Sequence, residues 1–266
     1  MASATTLRGS AERNGKLWGT RPNDWALNEV QQVPTYEEAI ERVGLAPGQR
    51  VLEVGCGSGV FLGVAAEHGA EVHGIDASAA LLDIARERVP EADLRLGDMQ
   101  LLPYEDDSFD MVAGFNAFFF ADDIVAALRE AGRVAKPGAP VVIQVWGRPE
   151  NCDLAAMQRA LAPFRPAPRP GTPQTPPLWT PGVLEGLATE AGLTPDEAFD
   201  VSWPYDYPDE DTMVRALLSP GPIAVAAEAH GEEPLRAALV DALAPYRTAY
   251  DGYRLENEWH FLIARA

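Results

Sequence analysis

The chain has 266 residues, 47% of them hydrophobic, and sets 40 acidic side chains against 21 basic ones for a net charge of −19. That length can bury one sizeable core, whereas such acidity removes the cationic surface from which nucleic-acid and anionic-membrane binding draw affinity. Two cysteines, Cys56 and Cys152, make neither a disulfide framework nor a metal site, and no apolar run approaches the ~20 residues of a bilayer span.

Met1 to Asn14 is small and polar, without the apolar stretch of a signal peptide, so a cytoplasmic location is expected. Residues 1–16 are expected to be mobile. Asn23 to Val43 has helical character interrupted at Pro34, with Trp25, Leu27, Val30 and Ile40 among its apolar residues.

The most informative run is Val51-Leu52-Glu53-Val54-Gly55-Cys56-Gly57-Ser58-Gly59. A short buried strand ends at Val54, glycines follow at alternate positions, and an amphipathic segment starts at Val60. Glycine admits positive φ and lets a ligand lie against bare main chain. The dinucleotide fingerprint needs a third glycine where Val60 stands, and a phosphate-binding loop needs a lysine that is absent. Glu53 at the pocket floor repels phosphate and suits an ammonium or sulfonium group, directly or through water.

Glu71 to Asp76 reads as a second strand ending in an acid, placed where a carboxylate can take both ribose hydroxyls of a nucleoside. Ser78 is a candidate N-cap for a helix with Leu81, Leu82, Ala85 and Val89 on its apolar stripe. Leu94 to Met99 reads as a third strand, whose Asp98 suits an exocyclic amine and whose Met99 suits a purine face. Ser108 to Asn116 is a fourth strand running into an open loop. Asp122 and Asp123 open a helix through Ala135, Lys136-Pro137-Gly138 stops it, and Val141 to Trp146 is the fifth strand.

Beyond it, Asp153 to Leu161 reads as helix, and Pro163 to Pro181 carries eight prolines, too many for a regular helix. A stiff loop across the mouth of the site is expected there, with a polyproline ligand as the other reading. Pro181 to Ala191 reads as helix, Phe199 to Tyr207 as strand, Asp209 to Asp251 as mostly helical, and Tyr253 to Ala264 as a closing strand.

The order of these segments resembles the class I S-adenosylmethionine-dependent methyltransferases, in the small-molecule branch similar to the ubiquinone and menaquinone biosynthesis enzymes. The match runs from about Pro47 to Gly147. It implies an α/β, doubly wound, mostly parallel seven-stranded sheet (a Rossmann-like methyltransferase fold) with an antiparallel last strand and a mostly helical cap. One structural domain is expected: residues 17–147 as cofactor-binding core with an N-terminal helical lid, and 148–266 as the rest of the sheet with cap insertions near 148–180 and 209–251. The resemblance implies S-adenosyl-L-methionine as cofactor and S-adenosyl-L-homocysteine as product. It implies that Gly55, Gly57 and Gly59 line the methionine part and Asp76 holds the ribose. Asp98 and Met99 then receive adenine, and Phe115 or Asn116 sits near the amino-acid end. Glu53, Cys56, Ala77 and Leu81 are counted in the same pocket.

The expected reaction is methyl transfer to oxygen or carbon, ahead of nitrogen, of a small apolar or aromatic metabolite by in-line displacement. Trp25, Trp179, Trp203, Tyr205 and Tyr207 are the candidate aromatic walls for the substrate. The alternative is a fold relative that binds the cofactor but serves as a scaffold or a non-methylating enzyme. No catalytic base is assigned among His68, His73, His230 and His260, and neither metal, nucleic acid nor membrane is an expected partner. After the fourth strand stands Asn116-Ala117-Phe118-Phe119, without the paired prolines of amino-methylating enzymes.

Overall fold

The computed structural model describes residues 7–165 and 176–266. Three helices precede the sheet: α1 (Gly9–Trp18), α2 (Pro22–Glu29) and α3 (Val33–Val43), with a short 3-10 segment at Val30–Gln32 between the last two. Pro34 sits in the first turn of α3, where its missing N–H costs no helical hydrogen bond, so it starts a helix rather than interrupting one. Of the residues up to Lys16 expected to be mobile, 1–6 lie outside the described residues, while Gly9 to Lys16 fall instead in α1. Gly9 to Trp18 is helical, and its start is anchored by the Ser10 N–H donating to Asp122 at 2.8 Å and by an Arg13–Asp122 ion pair.

The sheet then builds as β1 (Arg50–Val54), α4 (Val60–Glu67), β2 (Glu71–Asp76), α5 (Ala79–Arg88), β3 (Asp93–Leu96), β4 (Met111–Phe115), α6 (Ile124–Val134) and β5 (Pro140–Trp146). After α7 (Leu154–Ala160) and α8 (Val183–Glu190) comes β6 (Thr194–Tyr207). The helices α9 (Glu210–Leu217), α10 (Gly221–His230) and α11 (Glu232–Leu243) lead to β7 (Tyr253–Arg265). The seven strands lie in the order β3-β2-β1-β4-β5-β7-β6, parallel from β3 to β5, with β7 antiparallel to both neighbours.

Both faces of the centre are covered, which is why its strands are apolar runs rather than alternating ones. Val51 packs into the cluster on one face with Phe61 and Met111, while Leu52 and Val54 pack on the other with Phe109 and Leu128. Ser78 caps α5 by accepting from the Leu81 N–H, and Asp123 caps α6 by accepting from that of Ala126. The third strand stops at Leu96, so Asp98 and Met99 lie in the turn beyond it. The sixth strand begins at Thr194, earlier than the expected Phe199, because β7 gives it partners down to Arg265. As an edge strand it tolerates Pro195 and Pro204. Of the proline-rich stretch, residues 166–175 lie outside the described residues.

The chain order reverses between β1 and β4, and a doubly wound sheet opens its ligand crevice beyond the strand tips at such a point.

Candidate active site

The turn after β1 takes its shape from glycine. Gly55, Gly57 and Gly59 have φ of 76°, 51° and 78°, in the left-handed region that side chains disfavour. A Cβ at Gly55 would meet that of Ala117 at 2.6 Å, and one at Gly57 would meet the Glu29 carboxylate at 2.9 Å. The Gly57 N–H donates to Asp76 at 2.9 Å and the Ser78 N–H to the same carboxylate at 2.7 Å, so the tips of β1 and β2 are tied together.

Three carboxylates converge on this turn. Glu53, only 2% exposed, has one oxygen with no hydrogen-bond partner among the described residues. Burial, with the charges of Glu29 and Asp76, pushes its carboxyl well above the ordinary range. Glu29, 4% exposed, reaches in from α2 and accepts from the Ser58 N–H and hydroxyl at 3.0 and 2.7 Å. Burial raises it to about 7. Burial also raises Asp76, against the lowering effect of its backbone hydrogen bonds. Buried carboxylates that lack a cation raise one another's pKa, and a positively charged ligand reverses the cost. The residues present therefore fit a ligand with ammonium and sulfonium character.

A cleft of about 630 Å³ opens beyond the strand tips, within the ~300–1,000 Å³ usual for small-molecule sites. Of the residues singled out in the sequence, Glu53, Gly55, Gly57, Asp76, Ala77 and Leu81 line it. Asp98, Met99, Phe115 and Asn116 line it as well. Cys56 and Gly59 do not: Cys56 is fully buried with its sulfur turned toward Gly74, and Gly59 packs on Ala85. Among the aromatic candidates, Trp25 and Trp179 border the cleft. The other three need correcting. Trp203 is 44% exposed on the edge strand. Tyr205 is buried against Trp259, and the Tyr207 hydroxyl donates to Asn28 at 2.7 Å. None of these three borders the cleft.

Other lining residues carry no sequence signal. Ser10, Asn14 and Trp18 come from α1, and Asn28, Glu29 and Gln32 from α2 and the turn after it. They reach the site because the N-terminal helices lie along its mouth: Asn14 donates to the Phe120 carbonyl at 2.8 Å. Asn116 has a φ of 51°, a conformation asparagine tolerates better than most residues. Its amide donates to Gln32 at 3.1 Å, and its buried Oδ1 has no partner among the described residues. None of the four histidines lines the cleft. His260 instead sits 2.6 Å from Asp200 across the β6–β7 pairing.

The methyltransferase domain family matches residues 52–143, from β1 through β5. The chain is 30% identical to an uncharacterized protein of Mycobacterium tuberculosis over 98% of both. It is 36% identical to the demethylmenaquinone methyltransferase of Renibacterium salmoninarum over 41% of this chain and 46% of that one. The chain belongs to the class I S-adenosylmethionine-dependent methyltransferases. Its cofactor is accordingly S-adenosylmethionine. The crystal structure of the [4+2]-cyclase SpnF superposes on this methyltransferase with a TM-score of 0.62, covering 99% of this chain and 98% of that one. At 20% identity that likeness concerns the fold. In this methyltransferase no described helix is long and apolar enough to cross a membrane.

Proposed function

We propose that this methyltransferase acts on oxygen or carbon, ahead of nitrogen, of a small apolar or aromatic metabolite, by in-line displacement. The observation that carries the reading is that one cleft is lined both by the glycines and acids of the strand tips and by tryptophan and aliphatic side chains from the helices. When bound, the cofactor supplies a methyl group already activated on a positively charged sulfur.

In this reading Glu53 faces the charged amino-acid end, Asp76 takes the ribose hydroxyls, and Asp98 with Met99 receives the adenine. Gly55 and Gly57 leave the main chain bare, while Ala77, Leu81 and Phe115 supply apolar walls. Asn116 offers its unpartnered oxygen beside them. Cys56 and Gly59 shape the turn from behind. Trp25 and Trp179 stand on the substrate side, where they orient the acceptor and exclude water. Alignment of this kind contributes as much as ~7–11 kcal/mol in favourable intramolecular cases. With no histidine at the cleft, the acceptor is one that loses its proton readily, such as a phenol or an enolisable carbon.

Calorimetric titration with S-adenosylmethionine, followed by mass spectrometry of incubations with phenolic and enolisable compounds, tests the reading. The expected result is binding, then S-adenosylhomocysteine together with a product heavier by one methyl group. A folded protein that does not bind the cofactor overturns it. Binding with no methylated product would favour a scaffold or a non-methylating enzyme.

A further inference from the structure

The charged side chains lining the cleft are unevenly placed. Glu29, Glu53, Asp76 and Asp98 stand on α2 and at the tips of β1 to β3, on the glycine-turn side. The one cationic side chain among the described lining residues, Arg165, comes just past the short turn that follows α7. Its guanidinium donates to Gln158 Oε1 at 2.6 Å. Its Nε is buried without a partner, and no carboxylate lies within ion-pair distance among the described residues. Most arginines of this chain, by contrast, pair with an acid, as Arg42, Arg133 and Arg236 do.

An arginine partly withdrawn from water without a counter-charge costs free energy. Burial accordingly holds its guanidinium below the ordinary arginine value, with nothing compensating. The same cleft is lined on the helical side by apolar groups as well, among them Leu154 and Met157 of α7, Trp179, and Ile223 of α10. A ligand that satisfies both features carries one anionic group on an apolar body. A guanidinium fork matches a carboxylate with two parallel hydrogen bonds. A phosphate would bring nearly two negative charges into a cleft whose described lining holds four carboxylates against one cation.

We propose that the substrate is an apolar or aromatic carboxylic acid, and that Arg165 is the specificity-determining residue that binds its carboxylate in the cleft. This rests on the methyltransferase reading of the same cleft and adds the substrate's charge to it. The acid group is the anchor, and the accepting atom lies elsewhere on the body, nearer the glycine turn.

The test uses the full chain saturated with S-adenosylhomocysteine and titrated with 3-phenylpropanoate, 4-phenylbutyrate, their primary amides and phenethyl phosphate. The acids are expected to bind about tenfold more tightly than the amides, the scale of a charged hydrogen bond. Arg165→Met should abolish that preference with unchanged affinity for S-adenosylhomocysteine, and Arg165→Lys should keep part of it. Equal binding of acid and amide, a preference that survives in Arg165→Met, or tighter binding of the phosphate ester overturns the proposal. Loss of S-adenosylhomocysteine affinity in Arg165→Met also overturns it, because the guanidinium would then serve the cofactor. If none of the probes binds while S-adenosylhomocysteine does, the carboxylate inference fails and the methyltransferase reading stands. If folded protein binds no S-adenosylhomocysteine, both fall.

Discussion

The Glu29 carboxylate accepts both the main-chain N–H and the hydroxyl of Ser58, binding the last residue of α2 to the middle of the glycine turn. The same hydroxyl is held from the far side by Arg88 of α5. The N-terminal helices thus touch the glycine turn through one buried acid rather than through apolar packing alone.

That contact gives the protein a pH dependence. Glu29 titrates near 4.5 when unfolded and is raised to about 7 in the fold, by burial first and by the Asp76 charge in lesser part. Between those values the native state binds the extra proton, so stability falls as pH rises through the interval. The loss amounts to about 3 kcal/mol at most. Glu29→Gln keeps an acceptor for Ser58 and carries no charge at any pH. Urea unfolding should show the variant gaining on the native protein as pH rises through that window. Parallel pH profiles for the two would remove Glu29 as the cause.

The same carboxylates should distinguish the two forms of the cofactor. Ionised Glu29 and Glu53 favour a sulfonium cation over the neutral thioether left after transfer. Affinity for S-adenosylmethionine should therefore strengthen as pH passes about 7, and affinity for S-adenosylhomocysteine should strengthen less. Titration calorimetry of both ligands on either side of that pH is the measurement. A common pH dependence would show that the acids do not face the sulfur end.

Asp76→Ala should weaken cofactor affinity by roughly 1.5–3 kcal/mol, the scale of hydrogen bonds to a charged group. It also removes the acceptor of the Gly57 and Ser78 N–H groups, so the variant should lose thermal stability as well. Measuring both separates the effects. A lowered melting temperature with unchanged affinity would make Asp76 a brace for the turn and nothing more.

Gly57 faces the Glu29 carboxylate of α2. A side chain there does not simply fill cofactor space, because it first meets the Glu29 carboxylate on a backbone with φ of 51°. Gly57→Val should abolish cofactor binding. Combining it with Glu29→Ala frees that space and should recover stability but not affinity. Binding by the double variant would mean that Glu29, and not the ligand, is what the glycine accommodates.

The parts of this site that could be read in the sequence are those whose signal is local. Val51 to Gly59 announces a buried strand and a turn within nine residues, and Asp76 and Asp98 follow strands recognisable by their apolar runs. Glu29 gave no such sign: on α2 it reads as an ordinary surface acid, and its burial is decided by Ser58, 29 positions away. Arg165 was missed similarly, since an arginine among prolines reveals nothing about the wall it will join. Aromatic character alone does not place a residue at the cleft either. Trp203, Tyr205 and Tyr207 share one side of β6, but burial and cleft access depend on what packs there, and none of the three reaches the cleft.

That last difference can be tested on turnover. Trp25 and Trp179 border the cleft, whereas Trp203 is exposed on the edge strand and pairs across to Asn257. Trp25→Ala and Trp179→Ala should each lower kcat/KM for the methyl acceptor by about tenfold, corresponding to about 1.4 kcal/mol of lost aromatic contact. Cofactor affinity should change less in Trp179→Ala than in Trp25→Ala, because Trp25 shares α2 with Glu29. Trp203→Ala should leave kcat and KM near native values, because its side chain is 44% exposed and does not line the cleft. A drop in turnover for Trp203→Ala equal to that of Trp179→Ala would place the acceptor beside Trp203 on β6, and the cleft would no longer be where the methyl group is received.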